Sequence, residues 1–159
     1  MSEEFGSVVV KVSDEIAEML SSEETSYDAM LRLGQSAGFS KEELDVLHNT
    51  WSKLETKNGF TKFDFGCENW KQISQLFVTK GSDIEWFARI SDEYGAVDFF
   101  LLNEAGERIH FSFDQDSDLS DEDWYLDEVN ANIAKWKSAL PDELQKTFPD
   151  FLETEDLVF

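Results

Sequence analysis

Residues 84–113 read IEWFARISDEYGAVDFFLLNEAGERIHFSF, and their spacing decides the fold. Ile84, Trp86, Ala88 and Ile90 alternate with Glu85, Phe87 and Arg89, so every second side chain falls on one face, as in an extended strand. SDEYG supplies the polar and glycine residues of a turn. Val97 to Leu102 is then a nearly unbroken apolar run, the pattern of a central strand. NEAGE turns the chain again, and Ile109, Phe111 and Phe113 alternate with Arg108, His110 and Ser112. Three strands joined by short turns predict an antiparallel meander over about 83–113.

The flanking segments supply what covers it. Downstream, Leu126, Val129, Ile133, Trp136 and Leu140 are spaced 3, 4, 3 and 4, one stripe of a helix over about 121–140 that Pro141 stops. DELQKTF adds a short helical turn, and 149–159 reads as a loosely ordered acidic, aromatic tail. Upstream, Phe5 to Val12 predicts a strand with Val8, Val10 and Val12 on one face, and Ser13 caps a short acidic helix through Leu20. A second helix covers Tyr27 to Ala37 and ends at Gly38. Ser40 and Glu43 form a capping-box pair ahead of Leu44, Leu47, Trp51 and Leu54, which predicts a helix over 41–56. Asn58-Gly59 marks a turn, Phe60 to Phe65 a weaker strand, and Trp70, Ile73, Leu76 and Phe77 a helix over 68–79. Helices before and after an antiparallel sheet define an α+β fold, and the 159 residues fit one domain, 1–159.

Composition bounds the function more than any motif does. Fourteen Phe and five Trp supply a packed core and argue against disorder. Acidic residues number 35 against 13 basic, a net charge of −22, and self-repulsion at that density works against compaction. Anionic membranes and nucleic acid phosphates would both be repelled, so neither is an expected partner. Cys67 is the single cysteine, which excludes an intramolecular disulfide and fits a reducing compartment. MSEEFGSVVVKVSDE lacks the basic start of a signal peptide, and no run approaches a membrane span. A soluble, cytoplasmic protein is the expectation.

Catalytic patterns are missing from the sequence. His48 and His110 are the only imidazoles, and neither has a metal-ligand neighbour at helical or strand spacing. Asp64 and Glu68 beside Cys67 would raise a thiol pKa, so Cys67 reads as a packing residue. Nucleophile-elbow, phosphate-loop, dinucleotide and zinc patterns do not occur. No enzyme activity, cofactor or metal is expected.

One segment stands apart. From Asp114 to Glu128 the chain carries eight carboxylates in fifteen residues: Asp114, Asp116, Asp118, Asp121, Glu122, Asp123, Asp127 and Glu128. Asp114, Asp116 and Asp118 have the first spacings of a calcium loop, but Leu119 and Tyr125 stand where such a loop requires glycine and a bidentate glutamate. Ser120 as helix cap, with Asp121, Glu122 and Asp123 in the first turn, accounts for three of the acids through the helix dipole. Asp114, Asp116 and Asp118 are left over, either as a solvated turn or as a surface for a positive partner. Trp124 and Tyr125 lie inside the cluster, and aromatic anchors among carboxylates suit a basic protein. These ten residues form the expected partner-binding site.

In size, acidity and element order, with VDFFLLNEAGERIHFSFD leading into an acidic helix, the chain resembles the small immunity proteins of bacterial contact-dependent and other polymorphic toxin systems. The resemblance implies an inhibitor that neutralises a basic, nuclease-type toxin by charge-complementary binding, and it carries over no individual residue. Two other readings stand beside it. A nucleic-acid mimic, as in phage anti-defence proteins, would space carboxylates like phosphates over an extended face. A small-ligand binder or enzyme with an acidic surface would need a pocket.

Overall fold

The structure is a computed structural model that describes residues 4–22, 24–46, 53–66, 70–115 and 122–152. Six strands form one antiparallel sheet: β1 (Glu4–Lys11), β2 (Lys53–Lys57), β3 (Phe60–Gly66), β4 (Trp86–Asp92), β5 (Ala96–Leu102) and β6 (Arg108–Asp114), in the order β2-β3-β1-β4-β5-β6. The helices are α1 (Asp14–Ser21), α2 (Ser26–Ser36), α3 (Trp70–Lys80), α4 (Asp123–Ala139) and α5 (Asp142–Thr147). The fold is α+β, as the sequence predicts, and the meander β4-β5-β6 forms one half of the sheet.

Each face of the sheet carries its own core. On one side Val8, Val10, Phe63, Trp86, Ala88, Ile90, Phe100 and Leu102 pack under α1, α2 and α3. On the other, Val9, Phe60, Phe87, Val97, Phe99, Leu101 and Phe113 pack under α4 and α5. Strand alternation produces this division, because neighbouring side chains must point to opposite faces. Val8, Val9 and Val10 are all fully buried, which places β1 in the middle of the sheet with a helical layer on each side. Gly6 has φ +146, and a Cβ there would run into the Arg89 carbonyl oxygen of β4, so only glycine lets the strands approach at this rung.

Trp86 is the anchor of the first core. Its ring stacks on Phe77 of α3 with centroids 4.2 Å apart, and its indole N–H donates to Ser74 Oγ at 3.0 Å. Trp136 of α4 serves the second core, donating to the Phe100 carbonyl of β5 at 2.9 Å and meeting Phe99 edge-on at 4.9 Å. Both indoles thus bury their area while satisfying their one polar atom. Beyond α5, Pro149–Leu152 makes a 3-10 turn whose Phe151 is buried beside Trp136, and 153–159 lie outside the described residues.

The helix expected over 41–56 is corrected. Its capping box forms, with Ser40 N–H donating to Glu43 Oε1 at 3.0 Å and Glu43 N–H to Ser40 Oγ at 3.3 Å. What it opens is one 3-10 turn, Glu43–Val46, and Lys53–Lys57 is strand β2. Leu47, His48 and Trp51 lie outside the described residues. The reason sits downstream: Asn58 (φ 54) and Gly59 (φ 83) both adopt positive φ, the two-residue hairpin turn whose twist demands a strand on either side. Lys57 then faces Phe60, and the Thr56 and Thr61 hydroxyls meet across the hairpin at 3.0 Å. Leu54, read as part of a helical stripe, packs against the first core from the strand instead.

Candidate partner-binding face

Antiparallel pairing brings several separate segments to one end of the sheet. Glu4 at the start of β1 pairs with Asp92 at the end of β4, and Ala96 at the start of β5 pairs with Asp114 at the end of β6. The first turns of α3 and α4 meet the same end, through Lys71 to Asp92 and Tyr125 to Asp114.

Asp114 is exposed, and its backbone N–H donates to the Tyr125 hydroxyl at 3.2 Å. Tyr125 is half-buried against the α4-side core, so this bond fixes the start of α4 over the end of β6. Trp124 meets Tyr125 edge-on, with centroids 5.9 Å apart, yet is 56% exposed. A large apolar ring touched on one side by its neighbour and left in water is suited to meeting a partner. Glu122, Asp123, Asp127 and Glu128 surround it in sequence and are all exposed. Asp116, Asp118 and Asp121, with Ser120, lie outside the described residues.

Helix α4 explains fewer of these acids than its sequence suggests. It begins at Asp123, with Glu122 in the cap position making no side-chain capping bond, so of Glu122 and Asp123 only Asp123 occupies the first turn. Two aromatics that sequence reasoning missed join the face: Tyr94, 67% exposed in the β4–β5 turn, and Phe5, 47% exposed on β1. With Trp124 they are three of the four large exposed hydrophobic residues among those described. Tyr94 was discoverable, since an aromatic in the polar turn SDEYG has no core to enter.

Beneath this face lies a half-buried charge network, also missed. Lys71 Nζ sits 3.0 Å from Asp92 Oδ2 and 3.5 Å from Asp98 Oδ1, and donates to the Ala96 carbonyl at 3.2 Å. His110 Nε2 meets Asp98 Oδ2 at 3.1 Å, and its ring stacks on Phe100. Burial opposes ionisation of Asp92, but hydrogen bonds from Lys71 and the Ala96 and Tyr94 amides outweigh it and hold the carboxyl below its usual range. Glu4 runs the other way: burial raises its pKa, and the Lys71 backbone N–H and charge offset only part of that.

The depressed Asp92 stabilises the fold above the unfolded carboxyl pKa of about 3.9, and that contribution is lost as pH falls through the lower folded value. Lys71→Met should therefore destabilise the fold at pH 7, by less than the roughly 3–5 kcal/mol of a broken, fully buried pair, because Asp92 keeps its Tyr94 and Ala96 amide bonds and Asp98 keeps His110. The deficit should shrink as pH falls from 7 toward the carboxyl range, where Asp92, no longer held down by Lys71, takes up a proton. Urea unfolding of both proteins across that interval checks this, and a deficit constant with pH would mean that Lys71 acts through packing alone.

At the opposite end of the sheet an open cleft of about 610 Å³ is lined by Lys11, Phe60, Glu85, Asn103, Pro141 and Glu143 among others. Three of its polar side chains are engaged within it: Lys11 pairs with Glu85 at 3.5 Å, and the Asn103 amide donates to the Ala139 carbonyl. Among the described residues no three His, Cys, Asp or Glu side chains converge as metal ligands, and no helix is long and apolar enough to cross a membrane. Comparison with known proteins finds no family model, curated protein or solved structure that matches this chain.

Proposed function

We propose that this chain is an acidic inhibitor that binds a basic protein, in the manner of an immunity protein neutralising a nuclease-type toxin in the cytoplasm of a bacterium. The observation that carries the reading is Trp124, exposed on the Tyr125 platform among Glu122, Asp123, Asp127 and Glu128, at the sheet end that also presents Tyr94 and Phe5. A nuclease must hold phosphates in a positive groove, and a chain of net charge −22 is steered toward such a groove at rates up to about 10⁸–10⁹ M⁻¹s⁻¹. The exposed aromatics weigh against the pure nucleic-acid mimic, which needs phosphate-like charge without apolar anchors. The far cleft, with three of its polar side chains already engaged, gives the small-ligand reading little support. Neither nucleic acid nor a cofactor has a role in this proposal.

The test is retention of a basic toxin domain on the immobilised protein at low salt, with affinity measured as salt rises. Expected is one-to-one binding that blocks the toxin's nuclease activity and weakens steadily with ionic strength, because the rim charges are screened over about 8–10 Å. Binding without inhibition, or affinity indifferent to salt, counts against it.

A further inference from the structure

Among the described residues, β6 is an edge strand of the sheet. The sheet order ends at β6, so among the described residues no strand pairs with its far side. The ladder fixes which groups point there. Gln115 N–H donates to the Gly95 carbonyl and Asn103 N–H to the Glu107 carbonyl, which makes the odd-numbered residues of β6 the ones bonded to β5. By alternation the even-numbered residues direct their N–H and C=O groups away from β5. The Asp114 N–H agrees, since it meets Tyr125 rather than β5. His110 and Ser112 thus offer successive outward donor–acceptor pairs.

Exposed edges are usually blunted by brevity, proline or projecting lysines. The opposite edge follows that rule, for β2 has five residues and ends on the exposed Lys57. Strand β6 has seven, with no lysine or proline. Its two basic side chains are exposed but tied to the protein's own groups: Arg108 donates to the Val78 and Gly81 carbonyls at the end of α3, and His110 stacks on Phe100 and meets Asp98.

We infer that β6 receives an antiparallel strand from the basic partner, a deepening that rests on the proposed function. The strand would alternate apolar side chains, over half-buried Ile109 and Phe111, with cationic ones on the face of Ser112, His110 and the Lys71-paired Asp98, where Arg108 is drawn off to the Val78 and Gly81 carbonyls. A second copy of this chain fits poorly, since two bodies of charge −22 repel each other. In antiparallel pairing, residues opposite His110 and Ser112 share their face, so the cationic residues also turn their backbone amides toward β6.

The probe is an acetylated, amidated peptide Lys-Val-Lys-Val-Lys-Val-Lys, titrated against the full chain and followed by the backbone amide resonances. Expected are saturable shifts centred on His110 and Ser112. N-methylation of the lysine amides should weaken binding at least tenfold, whereas methylation of the valine amides leaves it. Ser112→Pro, which removes an outward donor without touching the β5 ladder, should match the lysine-methylated peptide, and Ser112→Thr should bind as the native chain does. Because the methylated peptides leave the protein unaltered, the test survives a poorly folded proline variant. Shifts confined to the α4 carboxylates, equal binding by the glutamate counterpart, the reverse methylation pattern, or a dimer through β6 in sedimentation each overturn the inference. A toxin whose affinity falls with Trp124→Ala but not with Ser112→Pro would remove the strand and leave the basic-partner function standing.

Discussion

Trp136→Ala should destabilise the fold by about 3–5 kcal/mol, the range for emptying a buried tryptophan site. The side chain has no solvent exposure, and three kinds of contact converge on it. It meets Phe99 edge-on, packs beside Phe151 of the last 3-10 turn, and donates to the Phe100 carbonyl. Phe100 points its own ring to the opposite face, so one residue of β5 is held from both layers. Alanine would leave a cavity and remove the second hydrogen bond that the Phe100 carbonyl accepts beside its ladder bond with Ala88. Trp136→Phe keeps most of the area and loses the bond, and should cost about 1–3 kcal/mol. Domains of this kind have about 5–15 kcal/mol in total, so the alanine variant should approach unfolding at physiological temperature. Urea midpoints for the two variants separate packing from hydrogen bonding, and equal losses would mean the bond carries the effect. Trp124→Ala, at an exposed site, should stay within about 0.5 kcal/mol of the native protein.

The contrast between these two tryptophans also marks how far the sequence could be read. Trp136 sits in a 3-4-3-4 stripe, and Trp124 in a run of acids, so burial and exposure were both legible locally. The meander was legible for the same reason, because alternation and turn residues are properties of neighbours in the chain. The region 41–56 was not, since a real capping box argued for a helix that the Asn58-Gly59 hairpin, fixed by pairing with β3, overrode. The central place of β1 had a signal that was read too narrowly: three consecutive valines bury both faces, which an edge strand has no reason to do. Of the candidate site, the Trp124 cluster was visible and the rest was not. Glu4, Lys71, Asp92, Asp98 and His110 lie far apart in the chain, and the β1–β4, β4–β5 and β5–β6 registers together with the packing of α3 bring them together. Phe5 read only as the start of the first strand, and its exposure follows from the pairing that places it at the end of β1 beside Ser91.

Trp124→Ala should weaken partner binding by 2 kcal/mol or more, roughly 30-fold, through faster dissociation. Its exposed ring meets Tyr125 edge-on, and Tyr125 is tied to the Asp114 amide, so one side of the ring has a fixed neighbour. Less side-chain entropy is then lost on docking, and an arginine or lysine of the partner can lie on the ring while its charge faces the neighbouring carboxylates. Glu122→Lys with Asp123→Lys should act differently. Both side chains are exposed and neither makes a capping bond, so the fold should lose only the helix-dipole contribution, about 0.3–1 kcal/mol for each residue. Reversing two charges at the rim should slow association several-fold at low salt and flatten the salt dependence, with a smaller effect on dissociation. Rate measurements on the two variants distinguish anchor from steering. If Trp124→Ala leaves dissociation unchanged while the charge reversal still slows association, carboxylates attract the partner here but its anchor lies elsewhere. Tyr94 and Phe5, exposed at the same end of the sheet, are then the residues to replace next.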